Sequence, residues 1–369
     1  MKSIPLLMGL LYCSLAFAAD PSAIPTPRGE RLRDIVATHY PGGNVYIGGT
    51  TNWGKLARGS GVVLDREFGY VTPENDFKQS GVHPTPDRWN WERTDAWVAR
   101  CAERGQVLRM HAPIGPQCSR WAMADDRTAG ELSRNLTEYM TAICKRYDGK
   151  PRVKWLDVVN ETVTTKGEWH GPRSGTSRWE NPWTIIGFDI NSELGVPLYI
   201  KMAFEIATRH APNTELVLNQ HGSMEQPMWD KIKATILYLR AAGLRVDGLG
   251  WQAHIDVGWE NKSDNLRHLG QLIDWAHAND LTFHITENNV WLKDKEKDYD
   301  AQARTFGAIV KTLVEKSTTG VVTWNVWNIS DGDSWSQMAA YKGCILYDDF
   351  SAKPAYYAIQ KTLMEGGGK

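Results

Sequence analysis

The strongest constraint on the fold is an alternation of short apolar runs and longer amphipathic stretches that repeats eight times along the chain. The short runs have the length of buried strands, whereas the longer stretches carry apolar residues every three or four positions, as helices do. In 129–146, for example, Leu132, Leu136, Met140 and Ile143 recur with the helical period. Because eight strand–helix units match a closed parallel barrel, the sequence predicts an α/β fold with a single (β/α)8 TIM barrel.

An open, doubly wound parallel sheet is the alternative architecture for this alternation. It is disfavoured because no G-x-G-x-x-G motif follows an early predicted strand. The predicted strands are 45–47, 69–72, 106–111, 153–159, 215–219, 248–252, 282–286 and 320–324. The predicted helices are 93–104, 129–146, 198–210, 228–242, 265–279 and 299–315.

The first 18 residues have the pattern of a secretory signal peptide. Lys2 supplies the positive start, an apolar stretch follows, and Ala16-Phe17-Ala18 is a small-x-small cleavage site. This stretch is too short for a membrane span and no later segment provides one, so we expect a secreted or periplasmic protein. Residues 19–40 are predicted to form a linker and a first helix, and 41–365 the barrel domain.

Composition narrows the classes of function. The chain has 42 Lys and Arg against 43 Asp and Glu, a balance that argues against a nucleic-acid partner. Its 17 Trp residues suit either a Trp-rich core or a groove whose flat apolar faces contact sugar rings. Four cysteines remain after the leader and permit two disulfides in an exported protein, with the pairing left open, and none shows C-x-x-C spacing. They are Cys101, Cys118, Cys144 and Cys344.

Two carboxylates end predicted strands. In a (β/α)8 barrel the active site lies at the carboxyl ends of the strands. The fourth strand runs into Asn160-Glu161 and the seventh into Thr286-Glu287, so the two carboxyl groups are expected to face each other across the barrel mouth. Either Glu alone would suit a salt bridge or a helix cap. As a pair they suit glycoside hydrolysis, which uses one carboxylic acid and one carboxylate.

The other predicted strands also end in polar and aromatic residues. A pyranose ring needs hydrogen-bonding groups around its hydroxyls and flat apolar surfaces against its faces, and these strand ends supply both. The residues are Glu74, Asn75 and Lys78 after the second strand, His111 at the end of the third, Gln252 and His254 after the sixth, and Trp327 after the eighth.

These motifs resemble those of glycoside hydrolase family 10, the retaining β-xylanases of a (β/α)8 clan, over about residues 45–361. The segment 72–78 is similar to the family's TPENxxK block, and 157–161 to its D-V-V-N-E strand. The segment 285–287 matches I-T-E, 252–254 resembles Q-S-H, and 331–335 resembles D-K-D-S-W. Together, in this order and spacing, the motifs are specific, whereas each alone is weak.

The resemblance implies a secreted retaining endo-1,4-β-xylanase that needs no metal or cofactor. It assigns Glu161 as acid/base and Glu287 as nucleophile, with Asn160 on the sugar 2-hydroxyl and His254 against the nucleophile. The partner would be a β-linked polysaccharide or oligosaccharide, and we expect a monomer with no membrane span. The implied substrate-binding residues are Glu74, Asn75, Lys78, His111, Asn160, Gln252, His254, Trp327 and Trp335.

Several segments depart from the family pattern. The segment 111–116 reads H-A-P-I-G-P where the family has H-T-L-V-W-H, and 219–221 reads N-Q-H in place of N-D-Y. Gln79 stands where a Trp is usual, and Trp251 where a small aliphatic residue is usual. We therefore expect altered walls near the cleavage point, with a Trp lost and Trp251 gained.

The altered walls leave a second target open: decorated xylan, another β-glycan or a glycosylated small molecule. A non-catalytic carbohydrate-binding barrel is a third possibility, but it would require Glu161 or Glu287 to be missing, and both are present. Endo versus exo action, and hydrolysis versus transglycosylation, also stay open, because the same residues serve each reaction.

Overall fold

The computed structural model describes residues 20–172, 181–262, 264–293 and 297–367. The predicted signal peptide, 1–18, lies outside these residues. Within them, eight parallel strands close into a barrel, which confirms the predicted (β/α)8 fold. The nine strands are β1 (Val45–Thr50), β2 (Tyr70–Thr72), β3 (Val107–Met110), β4 (Val153–Asn160), β5 (Glu215–Gln220), β6 (Gly248–Trp251), β7 (His254–Asp256), β8 (Thr282–Trp291) and β9 (Val322–Val326).

The barrel closes through the pairing of β6 with β8 and of β9 with β1. The additional strand β7 lies outside this ring, where it pairs with the distal half of β8 through Asn289, Val290 and Trp291. A register shift between Ile285 and Asn288 separates the barrel half of β8 from this extension. The sequence prediction ended this strand at Thr286 and therefore missed its second half.

Ten helices surround the barrel in the described part of the chain. They are α1 (Leu32–His39), α2 (Ser60–Glu67), α3 (Gln79–Val82), α4 (Glu92–Arg104), α5 (Ala129–Tyr147), α6 (Leu198–His210), α7 (Gln226–Ala241), α8 (Asn265–Ala278), α9 (Tyr299–Glu315) and α10 (Pro354–Gly366). In α5 the predicted apolar stripe is fully buried, and the helix begins with a capping box between Thr128 and Glu131. Helix α4 ends at Gly105, whose φ of 66° suits a left-handed cap.

Large aromatic side chains fill the amino-terminal end of the barrel interior. The ring of Trp155 lies edge-on to Tyr70 and to His284, at centroid distances of 5.3 and 5.4 Å. Gly48 makes room for this layer, since a Cβ there would meet the Tyr70 ring at 2.4 Å. The tryptophans thus serve both predicted purposes: six are fully buried, and others line the cavity described below. The six are Trp97, Trp155, Trp183, Trp229, Trp251 and Trp324.

Candidate active site

A cavity of about 400 Å³ opens at the carboxyl ends of the barrel strands. All eleven site residues predicted from the sequence line it, although they come from six different strand ends. They are Glu74, Asn75, Lys78, His111, Asn160, Glu161, Gln252, His254, Glu287, Trp327 and Trp335. The mouth of the barrel therefore brings together carboxylates, amides, imidazoles and indoles at one concave surface, which is the usual place for a ligand site in this fold.

Glu161 is the first residue after β4 and is only 5% exposed. Its backbone is left-handed, with φ of 55°, as is that of Glu74 at the end of β2, with φ of 37°. Such a conformation costs a non-glycine residue about 1–3 kcal/mol and concentrates at functional sites. At both positions the chain turns sharply out of a barrel strand while the carboxyl group stays at the cavity.

Glu287 lies inside β8, at the register shift, and is also 5% exposed. Both of its carboxylate oxygens have partners. The Asn219 amide donates to Oε1 at 2.8 Å, and His254 Nε2 lies 3.3 Å from Oε2. The carboxylate is therefore held in one orientation from two sides.

The electrostatic surroundings favour the ionised form of Glu287. Burial by itself would raise the pKa of this carboxyl, but the hydrogen bond with His254 and the electrostatic influence of His111, His254 and Lys78 lower it by more. The pKa is thus lowered from the ordinary glutamate value of 4.5. At neutral and mildly acidic pH the group is an anion, as a nucleophile or a general base must be.

Three amide side chains connect the two carboxyl groups. Asn219 Nδ2 donates to both Glu287 Oε1 and Asn160 Oδ1, at 2.8 and 2.9 Å. Gln252 Nε2 in turn donates to Asn160 Oδ1 at 3.1 Å and to Glu161 Oε1 at 2.8 Å. Asn160 Oδ1 is therefore the acceptor shared by both halves of the network, which fixes which end of this amide is the oxygen.

His111 is positioned from inside the barrel. Its Nδ1 lies 2.8 Å from Asp157 Oδ2, and Arg109 pairs with the same carboxylate through two nitrogens. Burial would raise the pKa of Asp157, but the Arg109 charge and the hydrogen bond from His111 hold it below its usual value. Because Asp157 stays ionised, it keeps the proton of His111 on Nδ1 and fixes the ring.

Tryptophan side chains form one wall of the cavity around His254. The ring of Trp291 stacks on His254 with an interplanar angle of 8°, and Trp335 lies edge-on to it at 5.2 Å. Trp327 packs edge-on against His111 at 5.5 Å. The wall combines flat apolar surface with the two imidazoles, which suits the faces and hydroxyls of a sugar ring.

The opposite end of the cavity is polar. Glu74 Oε2 accepts from Asn52 Nδ2 at 2.6 Å and from Lys55 Nζ at 3.1 Å. Lys78 Nζ lies 3.4 Å from Gln117 Oε1. These side chains present both donors and acceptors, as recognition of several sugar hydroxyls requires.

Five residues that line the cavity were missed by the sequence prediction: Gln117, His221, Gly222, Trp291 and Met338. Trp291 was missed because the predicted strand stopped at Thr286, although Val290-Trp291 is typical of strand. Gln117 follows the divergent segment after β3, and its left-handed φ of 60° turns it toward Lys78. His221 belongs to the departure at 219–221, and its polar side chain at the end of β5 is a signal of the same kind as that of the predicted residues.

The departures from the family pattern fall into two structural groups. The segment after β3 runs beside β4, where Ile114 bridges Val159, and a Cβ on Gly115 would meet the Asn160 carbonyl oxygen at 2.3 Å. A tryptophan at position 115 is therefore excluded by the backbone. By contrast, the expected new wall at Trp251 is wrong: this side chain is fully buried against Trp259 and donates to the Gly222 carbonyl.

Gln79 also points away from the cavity. It is buried between α3 and α5, where its amide donates to Asn135 and its Oε1 accepts from the Ser119 backbone. Trp183, from the long segment after β4, is buried as well and donates to the Gly115 carbonyl at 3.1 Å. Of the departures, those at Gly115 and His221 therefore lie nearest the cavity.

In the described part of the chain, no group of three or more His, Cys, Asp or Glu side chains is arranged around a common point. Among the same residues, Cys101, Cys144 and Cys344 are buried thiols outside any disulfide. No helix within the described ranges combines the length and apolar character needed to cross a bilayer.

The sequence model of Glycosyl hydrolase family 10 matches residues 36–362. The chain is 28% identical to endo-1,4-beta-xylanase A of Caldicellulosiruptor saccharolyticus, over 76% of this chain and 81% of that protein. It is 26% identical to endo-1,4-beta-xylanase A of Humicola insolens, over 80% of this chain and 74% of the relative. The crystal structure of native xylanase 10B from Thermotoga maritima superposes with a TM-score of 0.77 at 26% identity, over 91% of this chain and 99% of that one.

Proposed function

Since the chain belongs to glycosyl hydrolase family 10, we propose that it is a retaining endo-1,4-β-xylanase that cleaves xylan by double displacement. The observation that carries the proposal is the pair of buried carboxyl groups, Glu161 and Glu287, joined through one amide network at the barrel mouth. The names of the xylanase relatives support β-linked xylose polymers as the substrate class.

In the first step, the Glu287 carboxylate attacks the anomeric carbon and forms a glycosyl ester. The bond from that carbon to the glycosidic oxygen breaks, and Glu161 gives its proton to the departing oxygen. The lowered pKa of Glu287 supports its role as the attacking anion. Opposite roles for two carboxyl groups are what double displacement requires.

In the second step, the Glu161 carboxylate takes a proton from water while the water oxygen attacks the anomeric carbon. The ester bond to Glu287 breaks, the carboxylate is regenerated, and the proton taken by Glu161 restores its acid form. Two inversions at one carbon give a product with the configuration of the substrate.

Asn160 is the residue best placed to grip the sugar 2-hydroxyl. Its Oδ1 already accepts from Asn219 and Gln252, so its Nδ2 is left as the donor for the ligand. A contact with the 2-hydroxyl strengthens as the ring approaches the oxocarbenium-like transition state. His254 would orient Glu287, and His111 would contact the same sugar.

Export is the second part of the proposal. Residues 1–18 have a charged start, an apolar stretch and a small-x-small site, so we propose that they direct secretion or delivery to the periplasm. A polymeric substrate that cannot enter the cell fits this location.

A retaining enzyme with a different β-linked target is the alternative that an observation favours. Gly115 lies against the backbone of Asn160, and His221 lines the cavity beside Glu161, so the walls near the cleavage point differ from the family pattern. The target would then be decorated xylan, another β-glycan or a glycosylated small molecule.

Product analysis tests the proposal. The mature protein and its Glu287→Ala variant are incubated with undecorated xylan, glucuronoarabinoxylan and mixed-linkage β-glucan. Xylo-oligosaccharides released from plain xylan by the wild type and absent with the variant would support the xylanase. Release from only a decorated or non-xylan polymer would overturn the substrate assignment while leaving the glycosidase chemistry in place.

A further inference from the structure

The segment that follows Glu161 is clamped by one buried side chain from the neighbouring strand. Gln220, the last residue of β5, is fully buried. Its Oε1 accepts from the backbone N–H of Thr162 at 3.0 Å and of Val163 at 3.4 Å. Its Nε2 donates to the Val163 carbonyl at 2.6 Å. A single amide therefore satisfies donors and an acceptor of the two residues after Glu161.

This clamp adjoins the left-handed backbone of Glu161. The φ of 55° at Glu161 is unfavourable for a residue with a Cβ and persists only where the surroundings determine it. On one side of Glu161, its own N–H donates to the Asn219 carbonyl at 3.2 Å. On the other side, the Gln220 side chain holds residues 162 and 163, and the His221 imidazole adds a contact to the Val163 carbonyl at 3.0 Å. The strained residue is thus held from both sides by consecutive residues of β5.

The backbone of Gln220 also supports the other partner of Glu161. The Gln220 carbonyl accepts from the Gln252 N–H at 2.9 Å, and the Gln252 side chain donates to Glu161 Oε1 at 2.8 Å. Gln220 therefore supports Glu161 in two ways. Its side-chain amide holds the main chain that follows Glu161, and its backbone carbonyl holds Gln252, which donates to the Glu161 carboxyl. Gln220 itself does not line the cavity.

We propose that Gln220 is a positioning residue for the proton-donating carboxyl of Glu161, an inference that rests on the proposed function. By holding residues 162 and 163, Gln220 keeps Glu161 in the one backbone conformation that directs its carboxyl toward the glycosidic oxygen. Proton donation matters when the leaving group is poor and matters little when it is good. Loss of the clamp should therefore slow only reactions that need the proton.

The test compares two matched variants. Gln220→Met keeps the length and apolar surroundings of the side chain, which lies beside Met228, and removes both kinds of hydrogen bond. Gln106→Met is the control, because Gln106 is equally buried and donates to two backbone carbonyls, of Leu64 and Phe68, at the opposite end of the barrel. Both variants should lose thermal stability. If Gln220→Met does not fold, Gln220→Glu takes its place in the test, because it keeps the acceptor oxygen and removes the donor.

The readout is kcat/KM on 2,4-dinitrophenyl and phenyl β-xylobioside, which differ in leaving-group quality. General acid catalysis is worth about 10²- to 10⁴-fold, so we expect Gln220→Met to lose about 10- to 100-fold on the phenyl substrate and less than about 3-fold on the dinitrophenyl substrate. Gln106→Met should keep the wild-type ratio. Equal loss on both substrates, or an unchanged ratio in Gln220→Met, would overturn the inference.

A Glu161→Ala variant separates this inference from the proposed function. If Glu161→Ala shows the selective loss and Gln220→Met does not, Gln220 has no positioning role although the mechanism stands. If Glu161→Ala loses equally on both substrates, or the wild type cleaves neither, the proposed mechanism fails and the inference fails with it.

Discussion

At the amino-terminal end of the barrel interior, His284 has a partner on each ring nitrogen: Thr282 Oγ1 at 2.7 Å and Thr323 Oγ1 at 3.0 Å. At the carboxyl end, His111 and His254 each use one nitrogen on a carboxylate and have no hydrogen-bond partner for the other within the described residues. Each end contains imidazoles, but the two at the mouth keep a ring nitrogen without a protein partner among those residues, whereas both nitrogens of His284 are paired. Matched polar groups build a stable interior, and unmatched ones at a cavity are available for a ligand.

Charge separates the two ends in the same way. Burial and the nearby Arg109 hold the pKa of His284 well below its usual value, so this ring is neutral and acts as packing. At the mouth, the positive surroundings of Glu287 lower its pKa despite burial. His284 thus stays uncharged beside the buried Arg109–Asp157 pair, whereas Glu287 at the mouth stays ionised. Substitutions at the mouth should therefore change activity, and substitutions at the interior end should change stability.

The largest expected effect is at the mouth. Glu287→Gln removes the attacking carboxylate while keeping the shape of the side chain, so kcat should fall by at least about 10⁴-fold, as for other essential nucleophiles. The midpoint of thermal unfolding should stay within a few degrees of wild type. Glu103→Gln, whose side chain is 72% exposed, is the control and should leave both quantities unchanged. A Glu287→Gln variant that retains a tenth of the wild-type activity would contradict the view that the mouth of the barrel determines activity.

The interior end should show the opposite pattern. Trp155→Ala would leave a large cavity beside Tyr46, Tyr70 and His284 and should lower the free energy of unfolding by about 3–5 kcal/mol. Denaturant unfolding measures this loss, and kcat at a temperature where the variant is folded should stay within about 3-fold of wild type. A loss of kcat clearly greater than this in the folded variant would mean that the two ends of the barrel are not separable.

Asn219→Ala tests the amide network between the carboxyl groups. The substitution removes the donor to Glu287 Oε1 and one of the two donors to Asn160 Oδ1, so the buried Glu287 oxygen loses its partner, which costs about 1–3 kcal/mol. If that cost falls on the transition state, kcat/KM should drop about 10- to 100-fold. Steady-state kinetics on xylan oligomers provide the measurement. An unchanged kcat/KM would show that the network is structural only.

The smallest expected effect is a shift in the pH dependence of kcat/KM. Because the pKa of Glu287 is depressed, the carboxylate itself persists as the pH falls through the ordinary value of 4.5. The stability that it contributes is complete above 4.5 and is lost as the pH falls from there through the lower folded-state pKa. The acid limb of kcat/KM should therefore lie below about 4.5. His254→Phe removes the hydrogen bond between His254 and Glu287, which lowers the pKa of Glu287, and should move this limb toward higher pH by up to about one unit. An acid limb of the wild type at or above 4.5 would contradict the electrostatic account.

The sequence predicted the barrel and its mouth well because both depend on short-range patterns. Residues at strand ends, such as Glu161 and Glu287, are determined by where an apolar run stops, and the barrel topology then brings those ends together. The extension of β8 was missed because it depends on pairing with β7, a contact between distant residues that no local pattern encodes. Trp291 was lost with it.

Side-chain direction was the other limit. Trp251 and Gln79 looked like cavity residues because they neighbour motif positions, but Trp251 packs against Trp259, and Gln79 bonds Asn135. Adjacent residues of a strand point to opposite sides, so one position along the chain separates a cavity wall from the packed layer outside the barrel. The clamp of Gln220 on residues 162 and 163 could not be predicted either, since it depends on contacts between residues far apart in the chain.

The anomeric configuration of the first product tests the central claim most directly. Proton NMR, recorded within minutes of adding the mature enzyme to xylo-oligosaccharides, distinguishes the two anomers of the released reducing end before mutarotation mixes them. Attack by Glu287 followed by attack of water predicts the β-anomer first. Initial appearance of the α-anomer would mean that water attacks the anomeric carbon directly, and Glu287 would then be a base and not a nucleophile.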